Sequence, residues 1–235
     1  MKPHLNEQWV IPPEQNARFV AKMEDVLSVY KRPYDEDRPV VCMDEMSRQL
    51  LKHVREPTDP KPGTPRRHDH HYERNGTVNL FTFFEPLAAH RVVFTRDRRT
   101  KVDWAECVRR VLDEHYPQAQ TVQAQTVVLV MDNLNTHGPS SLYEAFGPTE
   151  ARRLAERLEI HYTPEHGSWL NMAEIEQSVM ARQALSRRVP DRGTMERRTT
   201  AWQKQRNAAD ATVDWQFTTE EARIKLKRLY PKNNS

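Results

Sequence analysis

Val127 to Pro139 reads VVLVMDNLNTHGP. The five apolar residues Val127 to Met131 have the length and β-branched character of a strand buried on both faces. The run nevertheless ends on Asp132 and Asn133, with His137 five positions beyond the aspartate. A carboxylate taken out of water costs several kcal/mol unless it is paired or bound to a metal. Asp132 therefore either caps the turn that follows, a role Asp and Asn both favour, or belongs to a site.

The flanking sequence supplies a sheet around this strand. Upstream, Val40 to Met46 (VVCMDEM) is a short β-branched run ending in acids, and TVNLFTFFEPL, from Thr77, is apolar on both faces as a central strand would be. HRVVFTRD, from His90, is its hairpin partner through residues 86–89. Helical periodicity marks residues 13–30, with Phe19, Met23, Val26, Leu27 and Tyr30 on one face, and the segment KVDWAECVRRVLDEHYP from Lys101. Downstream come a short helical turn at PSSLYEAF, a helix at PTEARRLAERL, a short strand at EIHYTP and three further helices, the last capped by Thr218 or Thr219. Residues 55–76, rich in Pro and charge, read as a long exposed loop. A hairpin group followed by βαβ crossovers predicts an α/β mixed sheet with helices on both faces.

Composition sets bounds. The 235 residues are 37% hydrophobic and 29% charged, enough for one large domain. No apolar run approaches a membrane span, and MKPHLNEQWV lacks a signal segment. A cytoplasmic protein without a membrane partner is expected. Two cysteines, Cys42 and Cys107, are too few for a disulfide framework and sit in apolar segments, as reduced core residues would. Net charge is +3, but residues 151–235 carry 16 Lys and Arg against 11 Asp and Glu. That basic end suits a polyanion, as it also suits an ordinary solvated surface.

Three carboxylates share one context. Asp44 and Asp132 each end a predicted strand, and Glu174 opens a helix just after another. Sites in open α/β sheets form beyond the carboxyl ends of strands. Hard divalent cations take oxygen ligands, and two of them can stabilise the attacking and leaving oxygens of an in-line displacement at phosphorus.

CMDEM, VMDNLNTHGPSSL and YTPEHGSWLNMAEIE together resemble the catalytic domain of insertion-sequence transposases of the mariner superfamily, the Asp-Asp-Glu (DDE) transposases. The resemblance covers about residues 38–180. It implies a ribonuclease H-like fold, two Mg²⁺ or Mn²⁺ ions held by Asp44, Asp132 and Glu174 as catalytic acids, and cutting and rejoining of double-stranded DNA at element ends and target. Asn133, His137, Ser168 and Asn171 match supporting motif positions. Asp132 and Glu174 lie 42 positions apart, longer than in animal mariner relatives, and SLYEAFGPTEA accounts for the extra length as a surface insertion. Helix geometry alone does not choose between Glu174 and Glu176. They fall on opposite sides of Ile175, in an apolar stripe of Met172, Ile175 and Val179, with Glu176 nearer that stripe. The family pattern chooses Glu174.

The family's helix-turn-helix modules find no room in the roughly 37 residues before the first strand. A separate helix-turn-helix polypeptide and a second copy of the chain are therefore candidate partners. The expected organisation is a helical lead-in (1–37), the catalytic domain (38–190) and a helical extension (191–235). Arg187, Arg188, Arg192, Arg197 and Arg198 are candidate phosphate contacts, or else a solvated helix face. RRHDHH (66–71) resembles a metal cluster but reads better as a solvated or DNA-facing loop. Trp169, Trp202 and Trp215 are read as packing residues before base-stacking ones. The expected function is divalent-metal-dependent DNA cleavage and strand transfer. The alternatives are a nuclease without strand transfer, or an inactive remnant that binds DNA or a partner transposase.

Overall fold

The computed structural model describes residues 14–55, 62–63, 71–117 and 126–232. The described chain runs α1 (Ala17–Tyr30), β1 (Val40–His53), β2 (Tyr72–Glu85), β3 (His90–Arg96), α2 (Lys101–Arg110), β4 (Val127–Met131), α3 (Pro139–Ala145), α4 (Pro148–Ala155), β5 (Leu158–Tyr162), α5 (Met172–Gln183), α6 (Arg192–Ala208) and α7 (Thr219–Lys225). The five strands form one sheet in the order β3-β2-β1-β4-β5. β1, β2 and β3 are antiparallel neighbours, whereas β1, β4 and β5 run parallel. This is the mixed sheet expected from a meander followed by crossovers, with the ribonuclease H-like topology.

Two boundaries differ from the sequence reading. β1 does not end at Asp44. It continues to His53 and pairs with β2 as far as Tyr72, so Tyr72–Gly76 of the stretch read as a loop belong to β2. The reason is that β2 supplies a hydrogen-bonding edge for the polar half of β1, which propensity alone would not call a strand. Of RRHDHH, only His71 lies within the described residues.

Helices cover both faces. On one, α2, α3 and α4 bury Trp104, Leu112, Leu142 and Leu154 against Val41, Met43, Phe81, Leu129 and Met131. On the other, α1, the start of α5 and the α7 region bury Met23, Leu27, Ala173 and Leu229 against Cys42, Phe84, Val128 and Val130. Thr100 and Asp103 close a capping box at the start of α2. Its last turn widens at Val111–His115, where Tyr116 N–H reaches back to Val111 O. Both cysteines are buried free thiols. Trp202 is buried with Met180 and Met195, Trp169 lies against Phe217, and Trp215 packs on Tyr30. All three tryptophans therefore serve packing. No helix among the described residues is long and apolar enough to cross a membrane.

Candidate active site

Strand register brings the aspartates together. In the parallel β1–β4 pair, Cys42 lies opposite Val130. Asp44 and Asp132 each follow two residues later, and side chains repeat face at every second residue. The two carboxylates thus leave the sheet on the same face, one from the middle of β1 and one just beyond the end of β4. The electrostatics agree with this proximity. Burial, and then the charges of Glu174 and Asp132, push the Asp44 carboxyl up to about 7.

Glu174 arrives by a tether. Asn171 is buried and caps α5, its Oδ1 accepting from Ala173 N–H at 3.1 Å. Its Nδ2 donates to the carbonyl of Met43 at 2.9 Å, one residue before Asp44. One side chain therefore ends the approach to α5 and fixes that helix to β1. Tyr30 supports the same junction, donating to Leu170 O at 2.7 Å. Three residues after the cap, Glu174 is half-buried, and its carboxyl is raised by burial and by Asp132 while the Ser168 hydroxyl donates to it.

Glu176 goes elsewhere. It is 1% exposed, with Arg91 Nε at 2.8 Å and Arg206 at 2.9 Å. The buried side of α5 is Met172, Ala173, Glu176, Gln177 and Met180, while Ile175 is 40% exposed. The apolar stripe is thus corrected at Ile175, while Val179 packs partly against the core. The sheet supplies the buried Arg91 and α6 the partly exposed Arg206 to Glu176, and a buried ion pair leaves no signature in apolar periodicity.

His137 is held from both sides. Nδ1 makes a short hydrogen bond to Asp132, Nε2 lies 2.9 Å from Glu45, and the ring stacks on Trp104. Burial opposes charge on this ring, but the two carboxylates prevail and move it up to about 9. At neutral pH the imidazolium donates from both nitrogens. Asp132 is thus satisfied by an imidazolium rather than by turn capping. Glu45 was not singled out in the sequence. Its signal is the second acid of MDEM, on the opposite face of β1 from Asp44. Asn133 is exposed beside Asp132 and lines a groove with Ser168.

Of the arginine candidates, Arg187 and Arg198 lie together, and the others are engaged separately. Arg192 pairs with Asp97 and Glu196 and donates to Thr95 O, Arg188 contacts the carbonyl of His71, Arg197 bonds Thr194, and Arg198 bonds the carbonyl of Arg187.

The donor set suits a hard divalent ion. It is three carboxylates without a thiol in the group, and burial and then acidic neighbours raise the pKa of Asp44 and Glu174. Among the described residues, no three Asp, Glu, His or Cys side chains already close on one point to hold an ion. Mg²⁺ commonly keeps waters and takes substrate phosphate oxygens, so one or two carboxylates can suffice.

Comparison with solved structures agrees on the fold. The Mos1 mariner paired-end complex with Mn matches at a TM-score of 0.53 and 16% identity, over 88% of this chain and 62% of that one. The corresponding complex with Mg matches at 0.54 and 17%, over 97% and 67%. The Mos1 strand transfer complex matches at 0.53 and 14%, over 88% and 66%. The chain thus spans about two-thirds of these relatives or less. No curated protein sequence matches it. Residues 39–196 match the family model described as DDE superfamily endonuclease. That match runs through Asp44, Asp132 and Glu174 and covers about two-thirds of the sequence, and the chain therefore belongs to the DDE superfamily endonucleases.

Proposed function

We propose that the chain is the catalytic domain of a DNA transposase, with Asp44, Asp132 and Glu174 as its catalytic and metal-holding acids. The observation that carries the reading is the β1–β4 register, which sets Asp44 beside Asp132, joined by the Asn171 tether that delivers Glu174. Two Mg²⁺ or Mn²⁺ ions, when bound, would supply charge stabilisation for the attacking and leaving oxygens. The protein's part is positional. His137 fixes the Asp132 carboxylate, Ser168 steadies Glu174, and Asn171 holds α5 against β1.

In the reaction, water attacks the phosphodiester in line and the P–O3′ bond breaks, leaving a 3′-OH and a 5′-phosphate. That 3′-OH then attacks a target phosphodiester and displaces a second 3′-OH, with no covalent protein intermediate. The similar solved structures are paired-end and strand transfer complexes. We extend that arrangement to two copies of this chain on two DNA ends, with end recognition from a separate helix-turn-helix polypeptide. The catalytic domain is assigned to residues 38–190, flanked by a helical lead-in and a helical extension. The basic residues Arg187, Arg188, Arg197 and Arg198 remain candidate DNA contacts. Arg192 is the weakest candidate, because two carboxylates already engage it. The cytoplasm, with its DNA and reduced thiols, is the assigned compartment.

The test is cleavage of labelled element-end DNA in Mg²⁺ or Mn²⁺. Asp132→Asn keeps the side-chain shape and removes the charge. It is expected to abolish cleavage while leaving the melting transition cooperative. Normal cleavage by this variant removes Asp132 from the site, and cleavage without joining by the wild type reduces the reading to a nuclease.

A further inference from the structure

A groove of about 470 Å³ runs from Asp132, Asn133 and Ser168 to the first turns of α1. Its far wall carries Arg18 and Lys22, four residues apart and so on one face of the helix. Arg32, Arg153, Arg192 and Arg223 each hold a carboxylate. Arg18 and Lys22 hold none among the described residues, although like charges at this spacing oppose each other. Lys22 is half-buried, with its ammonium 5.7 Å from the centre of the Tyr162 ring. Burial, then Arg18, lowers its pKa, and the Glu165 carboxylate on the opposite rim offsets this only in part. The nearest site acid, Asp132, is already engaged by His137. The remaining lining includes Leu134, 43% exposed, and Pro164, which offer an apolar wall.

We propose that this groove is a backbone-phosphate subsite, in which Arg18 and Lys22 grip the DNA strand beside the bond cut at Asp132. Two cations facing one groove, an apolar wall for sugar or base, and direct continuity with Asp132 fit a nucleic-acid strand better than a small anion, which would leave the apolar wall unused. The inference rests on the DNA-cleaving reading and adds the side chains that position the strand. Arg18 and Lys22 are positioning residues and do not touch the reacting atoms.

The experiment measures binding of the full chain to a labelled linear duplex across a salt series, alongside cleavage in Mg²⁺. Each phosphate that the protein ceases to neutralise makes the log–log salt slope shallower by about 0.9. The double variant Arg18→Gln/Lys22→Gln is expected to make it shallower by roughly 1 to 2 and to slow cleavage, with Lys22→Arg restoring both. Lys31→Gln, at the other end of α1 and paired with Glu220, is expected to leave the slope unchanged. Melting curves report folding, and if the double variant unfolds, DNA protection of Lys22 from amine acylation in the wild type replaces it. An unchanged slope in the double variant, an equal change in Lys31→Gln, or acylation of Lys22 indifferent to DNA overturns the subsite. Asp132-dependent cleavage with an unaltered double variant sinks the subsite alone. A slope that changes as expected without any cleavage by the wild type sinks the reaction and leaves the subsite standing.

Discussion

His137 shows how one side chain can decide what an acidic site is able to do. It lies between Asp132 and Glu45, is fully buried in its side chain and rests on Trp104. A carboxylate at the end of a buried strand could swing among several rotamers. The imidazolium removes that freedom and leaves Asp132 with its remaining lone pairs toward the groove. Partners of this kind, behind a metal-holding carboxylate, change metal affinity or activity by about 10–100-fold when removed. His137→Gln keeps a donor but not the charge or the two-sided reach. It is expected to slow cleavage by about 10–100-fold and to raise the Mn²⁺ concentration needed for half-maximal rate. An unchanged rate and Mn²⁺ dependence would make His137 a packing residue only. The sequence displayed His137 through its spacing from Asp132. Glu45 shows in the sequence only as the second acid of MDEM, because its role depends on strand pairing and on the fold of the turn after β4.

Helix α5 carries two glutamates with opposite tasks. The Glu174 carboxyl is half-buried and feels the charge of Asp132, whereas Glu176 turns into the molecule and joins Arg91 to Arg206, linking β3 to α6. Arg91 is fully buried, stacks over Phe84 at 4.4 Å and donates to Ala89 O at 2.8 Å. Removing one partner of such a pair leaves an uncompensated buried charge, at about 3–5 kcal/mol. Glu176→Gln is therefore expected to lower stability by about that amount while cleavage below its melting transition stays substantial. Glu174→Gln is expected to abolish cleavage and strand transfer with little change in melting. The reverse result would mean that the motif is misaligned on this helix. The order of strands and helices along the chain was legible because apolar periodicity carries it, whereas the acid trio was chosen by the resemblance and not by spacing. The face of α5 was not legible, since its buried side is filled by Glu176 and Gln177 and its Ile175 is exposed. The same limit hid how α6 covers the sheet edge: Gln203 accepts from Val93 N–H at 2.9 Å, and Asn207 both accepts from and donates to the Arg91 backbone at 3.0 Å. These polar contacts occupy β3 groups that an exposed edge would offer to another chain.

At the scale of the molecule, the site sets function against stability. The sheet holds Asp44 where burial and two neighbouring acids disfavour its charge, so its carboxyl titrates near 7 instead of near 3.8. A carboxyl bound to its proton more tightly in the folded state than in the unfolded one stabilises the fold at low pH. As pH rises from about 4 to about 7 the unfolded chain ionises first, and the folded state loses stability, on the order of a few kcal/mol by pH 8. Asp44→Asn removes that charge and keeps the shape. Without divalent metal, it is expected to melt above the wild type at pH 8 and level with it at pH 4. Metal should narrow the gap. An ion bound only by the folded chain, at a hundred times its dissociation constant, adds about 2.7 kcal/mol. Mn²⁺ should therefore raise the melting temperature of the wild type at pH 8 and leave that of Asp44→Asn where it was. Thermal melts of both proteins at the two pH values, with and without Mn²⁺, check each part. A wild type that outmelts Asp44→Asn without metal at pH 8 would show that Asp44 is held by partners the fold provides for itself. Equal Mn²⁺ shifts in the two proteins would place the ion elsewhere.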